Sequence, residues 1–234
     1  MTIYGCLLHR NGDEESVSLS IDRLVNAGWT GRDRDAVDRH VAELEAEGVS
    51  PPDRTPILYP KPRHSLSTGT NIQVASGETS GEVEVAFYVA HDRVYVTVGS
   101  DHTDRELETE NVALSKQVCP NVVGDTFWQL AEVADHWDEL ELRSWTGDPT
   151  DPDRYQTGTL AELRPPEDLF SLLEDRTTPP HDGTLLFSGS VGTDAGELRT
   201  EPYFEAELRD PVLNRTLSVA YTVDVIDWHT PEGT

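Results

Sequence analysis

The sequence predicts an α+β, or mixed-β, fold with a few short helices, and three observations support this class. Short runs of alternating apolar and polar residues recur along the chain, which is the pattern of half-buried β-strands. Apolar residues at helical spacing occur only in a few brief segments. The 234 residues show no repeat and no low-complexity segment, so one sizeable core can form.

The predicted strands are short and are bounded by turn-forming residues. They lie at residues 2–9, 16–21, 57–59, 82–89, 94–98, 140–145, 184–187, 203–208 and 216–226. The predicted helices lie at residues 33–46, 127–137 and 167–174, and residues 147–155 form a predicted polar turn region.

The first predicted helix carries a histidine beside its apolar stripe. His40 borders the buried face and Glu43 follows it by three residues, so the two side chains can meet on one side of the helix. A carboxylate that orients an imidazole can make it a general base for water. An ordinary surface ion pair is the alternative. The apolar stripe consists of Val37, Val41 and Leu44.

The strands on either side of residues 90–93 predict a tight β-hairpin with a defined register. If Val89 pairs with Val94, one face of the hairpin is entirely apolar and forms a core surface. That face consists of Val83, Val85, Phe87, Val89, Val94, Val96 and Val98.

The opposite face of this hairpin gathers three carboxylates. Glu82 lies across from Asp101, and Glu84 lies across from Gly99. Carboxylates within about 5–8 Å repel one another unless water screens them, one is protonated or a cation binds them. All-oxygen ligands suit Mg²⁺ or Mn²⁺, and Ca²⁺ could replace either ion in a crystal. The alternative is that these residues line an exposed face of a very acidic chain.

Acidic residues dominate the composition. The chain has 44 aspartates and glutamates against 18 lysines and arginines, for a net charge of −26. This sign argues against nucleic acids and anionic membranes as partners. Because the acid is spread along the chain, we interpret it as adaptation to a high-salt cytoplasm, with a nucleic-acid mimic as the alternative. We find no signal peptide, lipidation motif or apolar run of about 18 residues, and expect a cytoplasmic protein.

Lysine and cysteine are both rare. Lys61 and Lys116 are the only lysines among the 18 basic residues, so we expect each to be retained for a specific role. Cys6 and Cys119 show neither a disulfide framework nor metal-ligand spacing, and we expect both to be reduced.

Six segments in this order resemble the fumarylacetoacetate hydrolase superfamily, over roughly residues 33–226. No single motif is specific, but their order is hard to obtain by chance. The motifs are H-x-x-E at His40 and Glu43, K-P after a strand at Lys61, E-x-E at Glu82 and Glu84, an acidic segment at residues 100–108, Lys116, and a small-residue loop at residues 188–193.

The resemblance implies a mixed β-roll fold and a metal site. Residues 1–55 would form the hairpin and the helix with the His–Glu pair, and residues 56–234 the β-roll catalytic region, as parts of one continuous domain. Mg²⁺ or Mn²⁺ would be held by Glu82, Glu84 and Asp101. The implied catalytic residues are His40, Glu43 and Lys116, and the implied substrate-binding residues are Lys61, Arg105, Glu108, Gly189 and Ser190.

One departure from the superfamily pattern bears on the substrate. Glu108 stands where that family usually has a glutamine that can contact an acidic substrate. An extra carboxylate there would repel a carboxylate substrate unless it is protonated or turned away. The resemblance is therefore to a divergent branch.

The resemblance implies a metal-dependent hydrolase or decarboxylase, acting as a homodimer. It would cleave a C–C bond in a small oxo or dioxo acid through a metal-bound enolate. The first alternative is a tautomerase, isomerase or hydratase that uses the same site. The second is a non-catalytic, salt-adapted binding protein with this fold.

Overall fold

Two large β-sheets carry most of the chain in the computed structural model, which describes residues 1–46 and 54–228 except the side chains of His40 and residues 43–46. Strands β1 to β9 are Thr2–Leu8, Glu14–Ser20, Arg23–Gly28, Ile57–Lys61, Leu66–Ser67, Asn71–Val74, Thr79–Ser80, Val83–Val89 and Val94–Asp101. Strands β10 to β17 are Thr103–Asp104, Asn121–Val123, Thr126–Gln129, Glu141–Asp148, Asp151–Thr159, Thr184–Ser190, Tyr203–Asp210 and Arg215–Val225.

The helices are few and short. Helices α1 to α5 are Arg34–Ala46, Arg105–Glu108, Val112–Val118, Leu130–Val133 and Pro166–Arg176. Three 3₁₀ segments lie at Arg63–Ser65, Ala134–Glu139 and Leu160–Glu162. Within the described ranges, none of the helices is long and apolar enough to cross a lipid bilayer. This combination of many strands and a few short helices confirms the predicted α+β class.

The larger sheet has ten strands and is organised around the central hairpin. Its main order is β2-β1-β12-β9-β8-β15-β3-β4, and β11 pairs with both β9 and β5. The second sheet has five strands in the order β14-β13-β16-β17-β6. Since β1 to β3 share the larger sheet with β8 and β9, the sheet runs across the predicted boundary between residues 55 and 56.

The central hairpin has the register that the sequence predicts. Val89 pairs with Val94, and Glu84 pairs with Gly99. A side chain at Gly99 would place its Cβ 2.6 Å from the Val122 carbonyl oxygen and 2.7 Å from the Phe187 ring, so only glycine fits there. The position opposite Glu84 is therefore filled by the Phe187 ring and the Val122 backbone.

The apolar face of the hairpin forms the main core between the two sheets. Val85 and Val98 are fully buried there and pack with the inner face of the five-stranded sheet. The residues from that sheet are Leu142, Phe204, Ala206, Leu208, Leu217 and Tyr221.

The opposite face of the hairpin is also buried. Ala86 and Tyr88 belong to a second apolar cluster with Ile3, Leu7 and Leu19 of the first two strands. At the end of the hairpin, Glu84 and Asp101 are 1% and 0% exposed. The alternative of an exposed acidic face is therefore wrong.

Two predictions of local structure are wrong. Residues 127–129 lie in β12, which pairs with β9 and with β1, and the helical part begins only at Leu130. Long-range pairing thus overrides the helical spacing of the apolar residues. Residues 147–155, predicted as a polar turn region, mostly extend β13 and β14, which are joined at 149–150.

The helix predicted at residues 33–46 is present as α1. His40 and Glu43 lie on it, but their side chains lie outside the described residues. The predicted His–Glu pair therefore stays a prediction.

Candidate active site

Three carboxylates converge at the end of the central hairpin. One oxygen from each of Glu82, Glu84 and Asp101 lies within 4.8 Å of the others. Glu84 and Asp101 are 1% and 0% exposed, whereas the Glu82 side chain is 21% exposed. Glu84 lies in β8 and Glu82 directly before it, two residues apart, and the hydrogen bond from Asp101 N to the Glu82 carbonyl oxygen at 3.1 Å brings Asp101 beside them. Negative charges on carboxylates that are buried in this way must be compensated by neighbouring positive charges.

Both lysines of the chain meet these carboxylates. Helix α3 places Lys116 so that its Nζ donates to Asp101 Oδ2 at 2.6 Å and to Glu82 Oε2 at 3.1 Å. Lys61 Nζ, from the end of β4, donates to Asp101 Oδ1 at 3.4 Å and to the side-chain oxygen of Asn121. Asp101 therefore accepts one lysine at each oxygen.

Arg105 completes the group of charges. Its Nη2 forms an ion pair with Glu82 Oε1 at 3.1 Å, and its Nη1 donates to Glu108 Oε2 at 2.7 Å. Its Nε donates to Ser80 Oγ at 2.6 Å. Asp104 caps the short helix α2 by accepting a hydrogen bond from Leu107 N at 2.9 Å, which fixes the backbone next to Arg105.

The loop at the end of β15 binds the remaining glutamate. Gly189 N donates to Glu84 Oε2 at 2.8 Å. Gly189 has a φ of +89°, and a Cβ there would lie 2.1 Å from Thr30 Oγ1, so the loop requires glycine. The adjacent Ser190 is held by Gln156, whose Nε2 donates to Ser190 Oγ at 2.8 Å.

The electrostatic environment separates the two glutamates. Burial opposes the charged form of Glu82, but the charges of Lys116 and Arg105 outweigh it and lower its pKa to about 2. Burial raises the pKa of Glu84 well above its ordinary value, and the nearby Asp101 charge raises it further. Two glutamates only two residues apart thus have pKa values shifted in opposite directions.

The pKa values of the two lysines are also shifted in opposite directions. Burial would lower the pKa of Lys116, but Asp101 and Glu82 outweigh burial and raise it well above the ordinary value. Burial lowers the pKa of Lys61, and the charge of Asp101 opposes this only in part. Lys116 is therefore firmly an ammonium ion.

The donor set fits a hard divalent cation. Oxygens bound to one Mg²⁺ at about 2.1 Å can be at most about 4.2 Å apart, close to the observed span of 4.8 Å. The site has four carboxyl groups but only three basic side chains. The carboxyl groups belong to Glu82, Glu84, Asp101 and Glu108. An added cation would let the buried Glu84 ionise, so these residues can accept Mg²⁺, Mn²⁺ or Ca²⁺.

A cavity of about 1340 Å³ opens over the carboxylates. Glu82, Glu84, Lys116 and Ser190 line one side of it, together with Gly189, Arg105 and Glu108. The described lining residues do not include Lys61, whose side chain is fully buried beneath Asp101. This placement gives no support to the predicted contact of Lys61 with substrate.

Sequence reasoning missed several polar residues around the site. Gln156 is 2% exposed, accepts from Val83 N at 3.0 Å and supports the loop at Ser190. His102 is buried next to Asp101, with Nδ1 3.0 Å from the Tyr221 hydroxyl and burial lowering its pKa to about 3. Nothing in the local sequence marks Gln156, since its partners come from distant strands.

Trp29 is a further lining residue that the sequence did not single out. It follows β3 with a φ of +60°, which is rare for a bulky side chain, and its Nε1 donates to the Tyr59 hydroxyl at 3.3 Å. Strained conformations of this kind concentrate at functional sites. The strain lies at the wall of the cavity.

Three solved structures share this fold at low sequence identity. Yeast ynq8, a fumarylacetoacetate hydrolase family protein, is 14% identical with a TM-score of 0.58, over 88% of this chain and 94% of that one. A 2-keto-3-deoxy-D-arabinonate dehydratase complexed with magnesium and 2,5-dioxopentanoate is 17% identical with a TM-score of 0.61, over 88% and 74%. The 4-oxalocrotonate decarboxylase from Pseudomonas putida G7, complexed with calcium and acetate, is 16% identical with a TM-score of 0.59, over 85% and 76%.

Sequence comparison defines the family more directly. Comparison with curated protein sequences gives no match. The model of the family described as protein of unknown function (DUF2848) matches residues 27–221, which is most of the chain. The protein therefore belongs to the DUF2848 family, and its fold is that of the fumarylacetoacetate hydrolase proteins.

Proposed function

We propose that the protein is a divalent-metal-dependent enzyme that cleaves a carbon–carbon bond in a small oxo acid, by hydrolysis or decarboxylation. The observation that carries the proposal is the convergence of three carboxylates and both lysines, of which Glu82, Glu84 and Lys116 line a large cavity. Buried ionisable groups with perturbed pKa values in a cavity are typical of catalytic sites. The neighbours complexed with magnesium and with calcium add support through the shared fold.

The metal would be Mg²⁺ or Mn²⁺, held by Glu82, Glu84 and Asp101. When bound, it would supply a Lewis acid that polarises an oxo group of the substrate. Glu84 is the ligand that must lose a proton, since burial raises its pKa. The hydrogen bond from Gly189 N holds this carboxylate in place in either protonation state.

Lys116 would stabilise negative charge on the substrate oxygen as an enolate or oxyanion develops. An ammonium group has three donors, and two of them bind Asp101 and Glu82. The third is available to the cavity that Lys116 lines. A preorganised donor in a water-poor site is among the largest contributions to catalysis.

Lys61 would act through Asp101 and not on the substrate. It lies beneath the carboxylate, bonded to Asp101 Oδ1 and to Asn121. Asn121 is fixed in turn by a hydrogen bond from its Nδ2 to Asn26 Oδ1 at 2.7 Å. These successive hydrogen bonds orient the Asp101 carboxylate towards the other two carboxylates.

His40 and Glu43 would activate a water or move a proton, as the resemblance implies. Ser190 would hold a substrate oxygen, since its hydroxyl lines the cavity and is fixed by Gln156. Ala36 and Val37 of helix α1 line the cavity, which supports this role because His40 and Glu43 belong to the same helix.

The experiment is product analysis by NMR with oxaloacetate and with an acylpyruvate, at several Mg²⁺ and Mn²⁺ concentrations. We expect metal-dependent release of CO₂ or of a second organic fragment. Conversion without fragmentation would instead favour an isomerase or hydratase. Metal-independent turnover, or no turnover of any oxo acid, would contradict the proposal.

A further inference from the structure

The basic side chains that line the cavity are already paired within the protein. Among the described lining residues these are Arg32, Arg105 and Lys116. Lys116 is bonded to Asp101 and Glu82. A substrate group beyond the metal site must therefore be recognised without a free cation.

Arg32 is fully engaged at the far side of the cavity. Its Nη1 and Nη2 donate to the two oxygens of Asp138 at 2.8 and 2.7 Å, and its Nε donates to the Leu163 carbonyl oxygen at 2.9 Å. Bidentate pairing with a carboxylate is the strongest neutralisation available to an arginine. It leaves no donor pair for a second carboxylate from a ligand.

Arg105 is neutralised in the same way by two glutamates. Its Nη1 donates to Glu108 and its Nε donates to Ser80, while its Nη2 lies 3.1 Å from a Glu82 oxygen in an ion pair without hydrogen-bond geometry. The Arg105 side chain is 9% exposed and the Glu108 side chain is 28% exposed, so Glu108 is the member of the pair that faces the cavity more. A ligand carboxylate that approached Arg105 would meet Glu108 first.

The remaining charges on the wall are acidic. Asp33 and Glu162 line the cavity, and their described hydrogen bonds are to backbone groups, at Ala36 N and Thr159 N. Within the described ranges neither has a basic side chain at salt-bridge distance. The potential beyond the metal site is therefore negative.

The rest of the wall is apolar and aromatic. Trp29, Tyr59, Tyr155, Val112 and Leu198 all line the cavity. A cavity of about 1340 Å³ is much larger than an oxalate-sized head group requires. Its size and lining suit a ligand with an uncharged tail.

From these placements we propose that the cavity selects an oxo acid whose distal end is uncharged and largely apolar, and that Glu108 is the residue that excludes a second carboxylate. This inference rests on the proposed function, because it takes the acid head to be bound at the carboxylate site. Like charges brought together in a partly buried site repel one another strongly, which makes such exclusion effective.

The test is a calorimetric comparison of three probes in excess Mg²⁺: oxalate, 2-oxohexanoate and 2-oxoadipate. The two oxo acids have chains of equal length, and only the second ends in a carboxylate. We expect wild type to bind 2-oxohexanoate at least about tenfold more tightly than 2-oxoadipate. Oxalate, which has no tail, reports on the head-group site alone.

The Glu108→Gln variant should reduce this discrimination by about tenfold or more. Removal of the carboxylate frees an Arg105 donor and removes the repulsion. The affinity for 2-oxoadipate should therefore rise, while the affinity for oxalate should stay within about twofold of wild type. Glu110→Gln is the matched control, because Glu110 is exposed two residues away and does not line the cavity. It should leave all three affinities unchanged.

The outcomes separate the two proposals. If wild type binds oxalate but prefers 2-oxoadipate, or if Glu108→Gln folds normally and discriminates as wild type does, the substrate class is wrong while the proposed function stands. If wild type binds no probe in a Mg²⁺-dependent manner, the proposed function falls and this inference falls with it. Should Glu108→Gln unfold, the wild-type preference between the two oxo acids still decides the substrate class.

Discussion

The ammonium nitrogen of Lys116 lies 2.6 Å from Asp101 Oδ2, and both side chains are almost fully buried. Asp101 accepts Lys61 at its other oxygen. One carboxylate thus joins the only two lysines of an arginine-rich chain. Removal of one partner from such a group should leave a buried charge without compensation, so each substitution has to be assessed for folding as well as for function.

The first prediction is that Asp101→Asn weakens Mg²⁺ and Mn²⁺ binding by at least about tenfold. A neutral amide gives up the charge attraction that a hard cation needs. Isothermal calorimetry measures the affinity, and thermal unfolding checks that the variant folds. Glu84→Gln, whose amide oxygen can still accept from Gly189 N, should show the same loss of affinity.

A matched control for this experiment is Asp92→Asn, in the exposed turn of the same hairpin. It removes an identical charge without touching the site. If Asp101→Asn and Glu84→Gln both keep the affinity of wild type, the three carboxylates are not the metal ligands.

The second prediction concerns the loop that holds Glu84. Gly189→Ala should destabilise the protein by about 2 kcal/mol or more, because a Cβ would lie 2.1 Å from Thr30 Oγ1 on a backbone with positive φ. Gly192→Ala, in the same loop, places its Cβ in open space and should be close to neutral. Urea unfolding of both variants measures the difference, and equal stabilities would show that the loop relaxes freely.

Much of this arrangement could be predicted from the sequence, because the central hairpin is governed by local rules. The two-residue alternation and the short turn determine which residues share a face, and the observed pairs Val89–Val94 and Glu84–Gly99 have the predicted register. The convergence of the three carboxylates follows from that register. The resemblance to the fumarylacetoacetate hydrolase superfamily is likewise confirmed at the level of the fold.

What could not be predicted depends on strands that are distant in sequence. The second face of the hairpin is buried in an apolar cluster with residues of the first two strands, and no local pattern indicates this. Phe127 and Trp128 carry apolar side chains that suit a helix or a strand equally, and pairing of β12 with β9 decides the outcome. The depth of Lys61 beneath Asp101 depends on the packing of whole layers.

The third prediction concerns acid stability. Burial opposes the charge on Asp210, but bonds from Leu213 N at 3.0 Å, His136 Nε2 at 3.0 Å and Arg215 Nε at 3.2 Å outweigh it, so its pKa is lowered. A lowered folded-state pKa contributes stability above the unfolded value near 3.9, and that stability is lost as the pH falls through the folded value.

Asp210→Asn should therefore cost about 1–3 kcal/mol at pH 6, and the difference from wild type should shrink below about pH 4. Urea unfolding at a series of pH values measures it. Asp224→Asn, on an exposed position of the next strand, is the control and should have little effect at any pH. A cost for Asp210→Asn that is constant down to pH 2 would contradict the assignment.

The fourth prediction is that His40→Ala lowers turnover by about 10²–10⁴-fold and leaves metal affinity largely intact, because the proposed role is proton transfer and not ligation. Steady-state kinetics on an identified substrate and calorimetry with Mg²⁺ give the two readouts. His64→Ala, at an exposed position away from the cavity, is the control. If His40→Ala keeps the turnover of wild type, the catalytic role is wrong and His40 forms only the surface ion pair given as the alternative in the sequence analysis.

The fifth prediction is that Lys116→Arg folds and binds Mg²⁺, yet loses about 10²–10³-fold in turnover. The chain uses arginine at every other basic position except Lys61, so arginine would serve here if a solvated charge were sufficient. The Lys116 ammonium instead lies in a buried position between Asp101 and Glu82, and this residue lines the cavity. A planar guanidinium can keep both ion pairs but cannot place a donor at the same point.

Kinetics on an identified substrate, with calorimetry and thermal unfolding in parallel, distinguish misplacement of the introduced arginine side chain from misfolding of the variant. If the variant retains most of the wild-type rate, Lys116 serves only to neutralise the two carboxylates, and the proposed stabilisation of an enolate by its ammonium is wrong.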